Sequence, residues 1–175
     1  MRLHNNEEIV DYVNLFVSVL ICFPEVGKIR FDRDSDILTF SFMLKDVTSI
    51  PDFDGSLKKI QTAVEKYHRL DRTREYHFSV EQYRVGDYIV IEARRDMLSA
   101  SRAEITFLIE LFRLEFIHNI MVEKMDTAFE DDYQWYYEEG AHHRINDKRI
   151  SMDEKTIGNQ IVVCREAGKV LVFSN

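Results

Sequence analysis

Apolar side chains recur along the chain with two different periods, and the switches between them mark the elements. Ile9, Val13, Phe16 and Leu20, with Tyr12, Val17 and Ile21 on the adjoining row, keep a three-and-four spacing that predicts an amphipathic helix over 5–23. Asn5 or Asn6 supplies its cap, Glu7 and Glu8 complement the positive end of its dipole, and Pro24 and Gly27 end it. The period then falls to two. Ile29 and Phe31 alternate with polar residues, 32–36 is a polar turn, and Leu38, Phe40, Phe42 and Leu44 line one face of a returning strand. Past Ser49-Ile50-Pro51 the helical period resumes, with Leu57, Ile60, Val64 and Tyr67 on one face and Lys58, Lys59 and Glu65 on the other.

The same order then repeats. Tyr76, Phe78 and Val80 alternate with His77, Ser79 and Glu81, Val85-Gly86-Asp87 turns the chain, and residues 88–93 form the returning strand. Ser99 or Ser101 caps a long helix to about Lys124, with Ile105, Leu108, Ile109, Phe112, Phe116 and Ile120 at helical spacing. Residues 28–70 and 75–124 are therefore topological repeats, hairpin then helix, without residue identity. Two such units predict an α+β fold in which a four-stranded antiparallel sheet is backed by helices on one face. An acidic, aromatic helix is expected over 126–139, stopped by Gly140. A polar loop follows, and then a last hairpin in which 161–164 and 170–173 flank Arg165-Glu166-Ala167-Gly168-Lys169. This divides the chain into an α+β core domain over 1–141 and a C-terminal loop and β-hairpin appendage over 142–175, detached enough to be exchanged between subunits.

Composition removes several classes of chemistry. The 175 residues include only 6 Gly and 2 Pro, and the glycines stand far apart. No G-x-G-x-x-G, G-x-x-x-x-G-K-[ST] or G-x-S-x-G can be assembled from them, so phosphate-cradling loops and nucleophile elbows are not expected. Cys22 and Cys164 have no C-x-x-C spacing and read as small buried hydrophobes, which points to a reducing, cytoplasmic compartment without disulfides. The longest uncharged apolar run, 12–23, falls well short of the roughly 20 residues of a membrane span, and acids flank it where an export signal carries positive charge.

Charge changes the picture more than its total of −8 indicates. Residues 123–139 carry a net −6 and residues 142–175 a net +2, so a basic tail follows directly on an acidic helix. Either the helix simply faces water or the tail docks on it, within one chain or between two. The acidic balance argues against nucleic acid as a partner, because neutralising phosphates needs a basic stripe.

Candidate chemistry is sparse. Glu-x-x-His occurs twice, at Glu115–His118 and at Glu139–His142, and on a helix this spacing puts carboxylate and imidazole on one face, as in carboxylate-bridged metal sites. Gly140 interrupts the second pair, but His142 and His143 with Glu138, Glu139 and Asp132 form the one plausible ligand set for a divalent metal. Glu92-Ala93-Arg94-Arg95, with Asp87 upstream, is similar to the Glu-x-Lys strand endings of metal-dependent nucleases, except that arginine replaces the lysine. His68 reads as a charge complementing a helix C terminus. No catalytic motif emerges, whereas Trp135, Tyr136 and Tyr137, followed by Arg144 and Arg149, are the residue types enriched at interfaces. The expectation is a non-catalytic soluble binding or regulatory protein that needs no cofactor and self-associates as a homodimer. A metal-dependent, hydrolase-like enzyme built on the His142/His143 cluster is the alternative. A single-stranded RNA module using Arg94, Arg95 and a sheet face bearing Tyr76 or Tyr88 is the third reading.

Overall fold

The period-two apolar positions form one face of an antiparallel sheet in the computed structural model, which describes residues 6–70, 76–123 and 158–174. The elements are α1 (Asn6–Cys22), β1 (Val26–Asp32), β2 (Ile37–Leu44), α2 (Phe53–Leu70), β3 (Phe78–Val85), β4 (Tyr88–Asp96), α3 (Arg102–Glu115), β5 (Gln160–Glu166) and β6 (Lys169–Ser174). The strands lie in the order β3-β4-β2-β1-β5-β6 with every neighbour antiparallel, so the protein is an α+β fold. Residues 124–157, which hold the expected acidic helix and the loop after it as far as residue 157, lie outside the described residues.

Local chemistry sets the turns. Between β1 and β2 the Asp32 carboxylate accepts the backbone N–H of Asp34 at 2.9 Å and of Ser35 at 3.3 Å. Gly86 takes φ 59° in the β3–β4 turn. In the β5–β6 turn Ala167 and Gly168 both have positive φ, 49° and 73°, the type I′ geometry that matches strand twist. At the start of α2 the Asp52 carboxylate caps the Gly55 N–H at 3.0 Å, and any Cβ at Gly55 would collide with that carboxylate.

The three α-helices of the described residues pack on the face carrying Ile29, Phe31, Leu38, Phe40, Phe42, Ile91 and Ala93. α1 lies over β1, β5 and β6, with Phe31 beneath the rings of Tyr12 and Phe16 at centroid distances of 5.5 and 6.1 Å. α3 stacks Phe112 on Phe42 at 4.3 Å, and α2 packs against α3 and β3. The C-terminal hairpin extends the sheet: Ile161 and Val163 pair with Phe31 and Ile29, continuing the core beneath α1. No described helix is long and apolar enough to cross a membrane.

One expectation fails at the end of α3. The helix stops at Glu115 instead of running to Lys124. Phe116 leaves helical geometry at φ −122°, and Asn119 turns its side-chain amide onto the carbonyls of Lys45 and Asp46, both at 3.1 Å. Ile120 then bridges Leu44. Phe116 and Ile120 are both buried, so the helical spacing survives across a turn that Asn119 holds open. His118 lies beyond the helix end and is exposed, while Glu115 faces Lys59 at 3.6 Å.

Candidate functional site

Alternation along β4 places Arg95 in phase with Ile91 and Ala93, on the face covered by helices, where it is only 2% exposed. A guanidinium there requires a carboxylate, and Glu104 supplies it. Ser101 caps α3 by accepting the Glu104 N–H at 3.1 Å, which fixes the first turn and aims the Glu104 side chain inward. Its Oε1 accepts from Arg95 Nε at 2.5 Å and its Oε2 from Nη2 at 3.1 Å, a side-on bidentate pair. His68, near the end of α2, brings Nε2 to 2.7 Å from the same Oε1 and stacks its ring on Tyr76 at 3.8 Å. His68 lies in the last turn of α2, as its sequence position indicates, and its side chain is there a buried partner of Glu104. Arg95 also reaches Asp96, whose carboxylate holds the backbone N–H of His77 at 2.6 Å and both the N–H and hydroxyl of Ser99. The cluster ties α2, the segment leading into β3, β4 and the start of α3 together, and both oxygens of Glu104 are committed to partners.

The opposite face has no helix over it among the described residues. Its centre is Glu92, 5% exposed, flanked by Ser41 on β2 and Glu81 on β3. Arg30 approaches Glu92 at 3.4 Å and Arg94 at 3.3 Å, while Arg94 also binds Glu81 at 2.8 Å. The Tyr83 hydroxyl donates to Glu92 at 3.2 Å. Burial, reinforced by the Glu92 charge and hydrogen bond, pushes the Tyr83 phenol above its ordinary range against the opposing pull of Arg30 and Arg94. Two cations and two anions face one another here, so the patch is close to neutral. Around it Met43, Tyr83, Val85 and Tyr88 are exposed apolar or aromatic surface.

The two sheet edges differ in character. β3 carries Glu81 and Arg84, charges that discourage pairing with a further strand. β6 reads Lys169-Val-Leu-Val-Phe-Ser174, with its only charge at the turn and Phe173 50% exposed. The type I′ turn makes Glu166 and Lys169 the closing hydrogen-bonded pair, so Lys169, Leu171 and Phe173 direct their backbone groups to β5. Val170, Val172 and Ser174 direct theirs away from the sheet. Beside this edge Cys164 shares the open face with Leu171, and burial with the Glu166 charge raises its thiol above the ordinary range while Lys28 opposes. Neither Cys164 nor Cys22 is in a disulfide.

The proposed metal ligands Asp132, Glu138, Glu139, His142 and His143 lie outside the described residues, as do the interface candidates Trp135, Tyr136, Tyr137, Arg144 and Arg149. Among the described residues no three His, Cys, Asp or Glu side chains are grouped to hold a metal. Of the basic pair assigned to RNA, Arg95 is buried on Glu104 and Arg94 is spent on Glu81 and Glu92. Tyr76 stacks beneath α2, whereas Tyr88 is exposed on the open face. Asp87 sits in the β3–β4 turn. The Arg95–Glu104 pair was within reach of sequence reasoning, since Arg95 falls in phase with Ile91 and Ala93, and Glu104 with Leu108 on the next turn of α3. No known protein family, curated protein or solved structure matches the chain.

Proposed function

We propose that this is a non-catalytic binding or regulatory protein that acts through self-association, as a homodimer. The observation that carries this reading is the β6 edge: an apolar strand end to a six-stranded sheet, with outward backbone donors and acceptors and a half-exposed phenylalanine. Such an edge is a template for another strand, and natural sheets otherwise blunt it with charge, as β3 is blunted here. Glu104 and Glu92 are engaged by arginines, which suits them to holding the sheet and its helices in one shape. Sedimentation equilibrium on the full chain at micromolar concentration tests the proposal. A dimer mass little changed between low and high salt is expected, because strand pairing and apolar contact are not screened; a monomer across that range refutes it.

A further inference from the structure

We infer that the partner of β6 is the β6 of a second copy, paired antiparallel about a two-fold axis through Val172, so that two sheets join into one of twelve strands. This rests on the self-association proposed above and specifies its geometry. Antiparallel pairing sets equal-parity residues opposite one another, and the outward-facing backbones are those of Val170, Val172 and Ser174. An axis at Val172 therefore forms hydrogen-bonded pairs between Val172 and its copy and between Val170 and Ser174. Leu171 falls opposite Phe173.

The rows this creates are chemically continuous. On the open face Val162 and Phe173 of one copy line up with Leu171 and Cys164 of the other, an uninterrupted apolar row that covers the exposed Phe173 ring. On the helix-covered face Val163 and Val172 meet the same two residues of the partner, so the cores beneath the two α1 helices become contiguous. No charged residue is opposed to another over 170–174. The other edge lacks this self-complementarity. An axis at Glu81 opposes two like carboxylates, and an axis at Gln82 sets Val80 against Arg84. The isologous contact also closes, leaving the charge-bearing β3 at both outer edges.

Val172→Pro tests the geometry, because it removes an outward N–H without touching the β5–β6 ladder. Both copies lose their central bond, so the dimer dissociation constant is expected to rise by at least about tenfold. Val172→Ala, which trims the same side chain but keeps the N–H, should leave a dimer. A second measurement does not depend on the proline variant folding. Val172→Cys places two thiols on the axis with Cα atoms about 5.5 Å apart, within disulfide range, and should give a covalent dimer on mild oxidation. The native Cys164 pair would lie more than about 14 Å apart, three strand spacings, so the parent protein is the blank. Gln82→Cys on β3 should not cross-link. Cross-linking through Gln82→Cys but not Val172→Cys, or a Val172→Pro dimer as tight as the parent, overturns the β6 geometry while leaving self-association standing. A monomeric parent overturns both.

Discussion

Replacing Glu104 by leucine isolates the energetic role of the buried pair. The substitution keeps Ser101 as the cap, since the Glu104 N–H is a backbone group, but removes both acceptors facing Arg95 Nε and Nη2. Each buried hydrogen bond to a charged group is worth about 1.5–3 kcal/mol, and removing one member of a buried ion pair costs about 3–5 kcal/mol. Arg95 retains Asp96 and the His77 carbonyl on Nη1, so the lower end applies and a loss of about 3 kcal/mol is expected. In a chain of this size that corresponds to a fall in Tm of roughly 6–12 °C, read by circular dichroism with urea unfolding as a check. The control is Glu110→Leu on the same helix. Its carboxylate pairs with Arg113 at 2.5 Å but is 34% exposed, so the change should stay within about 0.5 kcal/mol. Arg95→Met combined with Glu104→Leu should recover part of the loss, because the guanidinium is no longer orphaned while His68 still lacks its carboxylate partner. Equal effects at Glu104 and Glu110, or a double variant as unstable as the sum of its parts, refutes the reasoning.

The open face makes a pH prediction. The folded Tyr83 phenol keeps its proton above the ordinary tyrosine range, so its contribution to stability is fully present below the unfolded pKa and is lost as pH rises through the higher folded value. A difference ultraviolet titration against Tyr83→Phe should show late ionisation, and Glu92→Gln should bring it earlier; an unchanged midpoint in Glu92→Gln contradicts the assignment to Glu92. In a Cys22→Ser background, Cys164 should alkylate more slowly near pH 8 than a free thiol, with a pH–rate midpoint displaced upward. A midpoint at or below that of free cysteine counts against burial as the cause. Ala167 holds φ 49° where alanine is strained by about 1–2 kcal/mol, so Ala167→Asn, giving the preferred Asn-Gly type I′ turn, should raise Tm by a few degrees in thermal melts. No gain would mean that the strain is relieved elsewhere in the hairpin.

What could be read from the sequence was the side of the sheet each residue occupies, because a strand's period of two reports a face. Leu38, Phe40, Phe42 and Leu44 point inward as their alternation requires, and the helix row Ile105, Leu108, Ile109, Phe112 meets them. The period does not report which strand lies alongside. The β5–β6 hairpin alternates correctly whether it pairs with β1, with β3 or with another chain. Its place beside β1 is fixed by contacts remote in sequence, such as the Arg33 N–H on the Asn159 carbonyl at 2.9 Å and the Arg33 guanidinium on the Gly158 carbonyl at 3.1 Å. The same limit explains the buried charges. Arg94 and Arg95 read as one basic surface pair because neighbours in a strand adjoin in sequence but point to opposite faces.

Register gives the β6 edge its meaning. In β4 the alternation sends one arginine of a pair to a buried carboxylate and its neighbour to the open face; in β6 it sends Val170 and Val172 to the core while their backbone groups face out. A strand whose side chains are partly buried and whose outward backbone has no partner among the described residues cannot be protected by charge on that inner face, since a charge at Val172 would sit against the core. Protection would have to come from Leu171 and Phe173 on the open face, and both are apolar. Lysine at Phe173 therefore separates the two ways of reading the edge. If β6 is merely an unguarded end, Phe173→Lys should leave the mass unchanged and the fold intact, because the side chain is half-exposed. If it is the dimer seam, the two lysines fall opposite the partner's Leu171 in the apolar row, and sedimentation should show a monomer with the parent's circular dichroism spectrum.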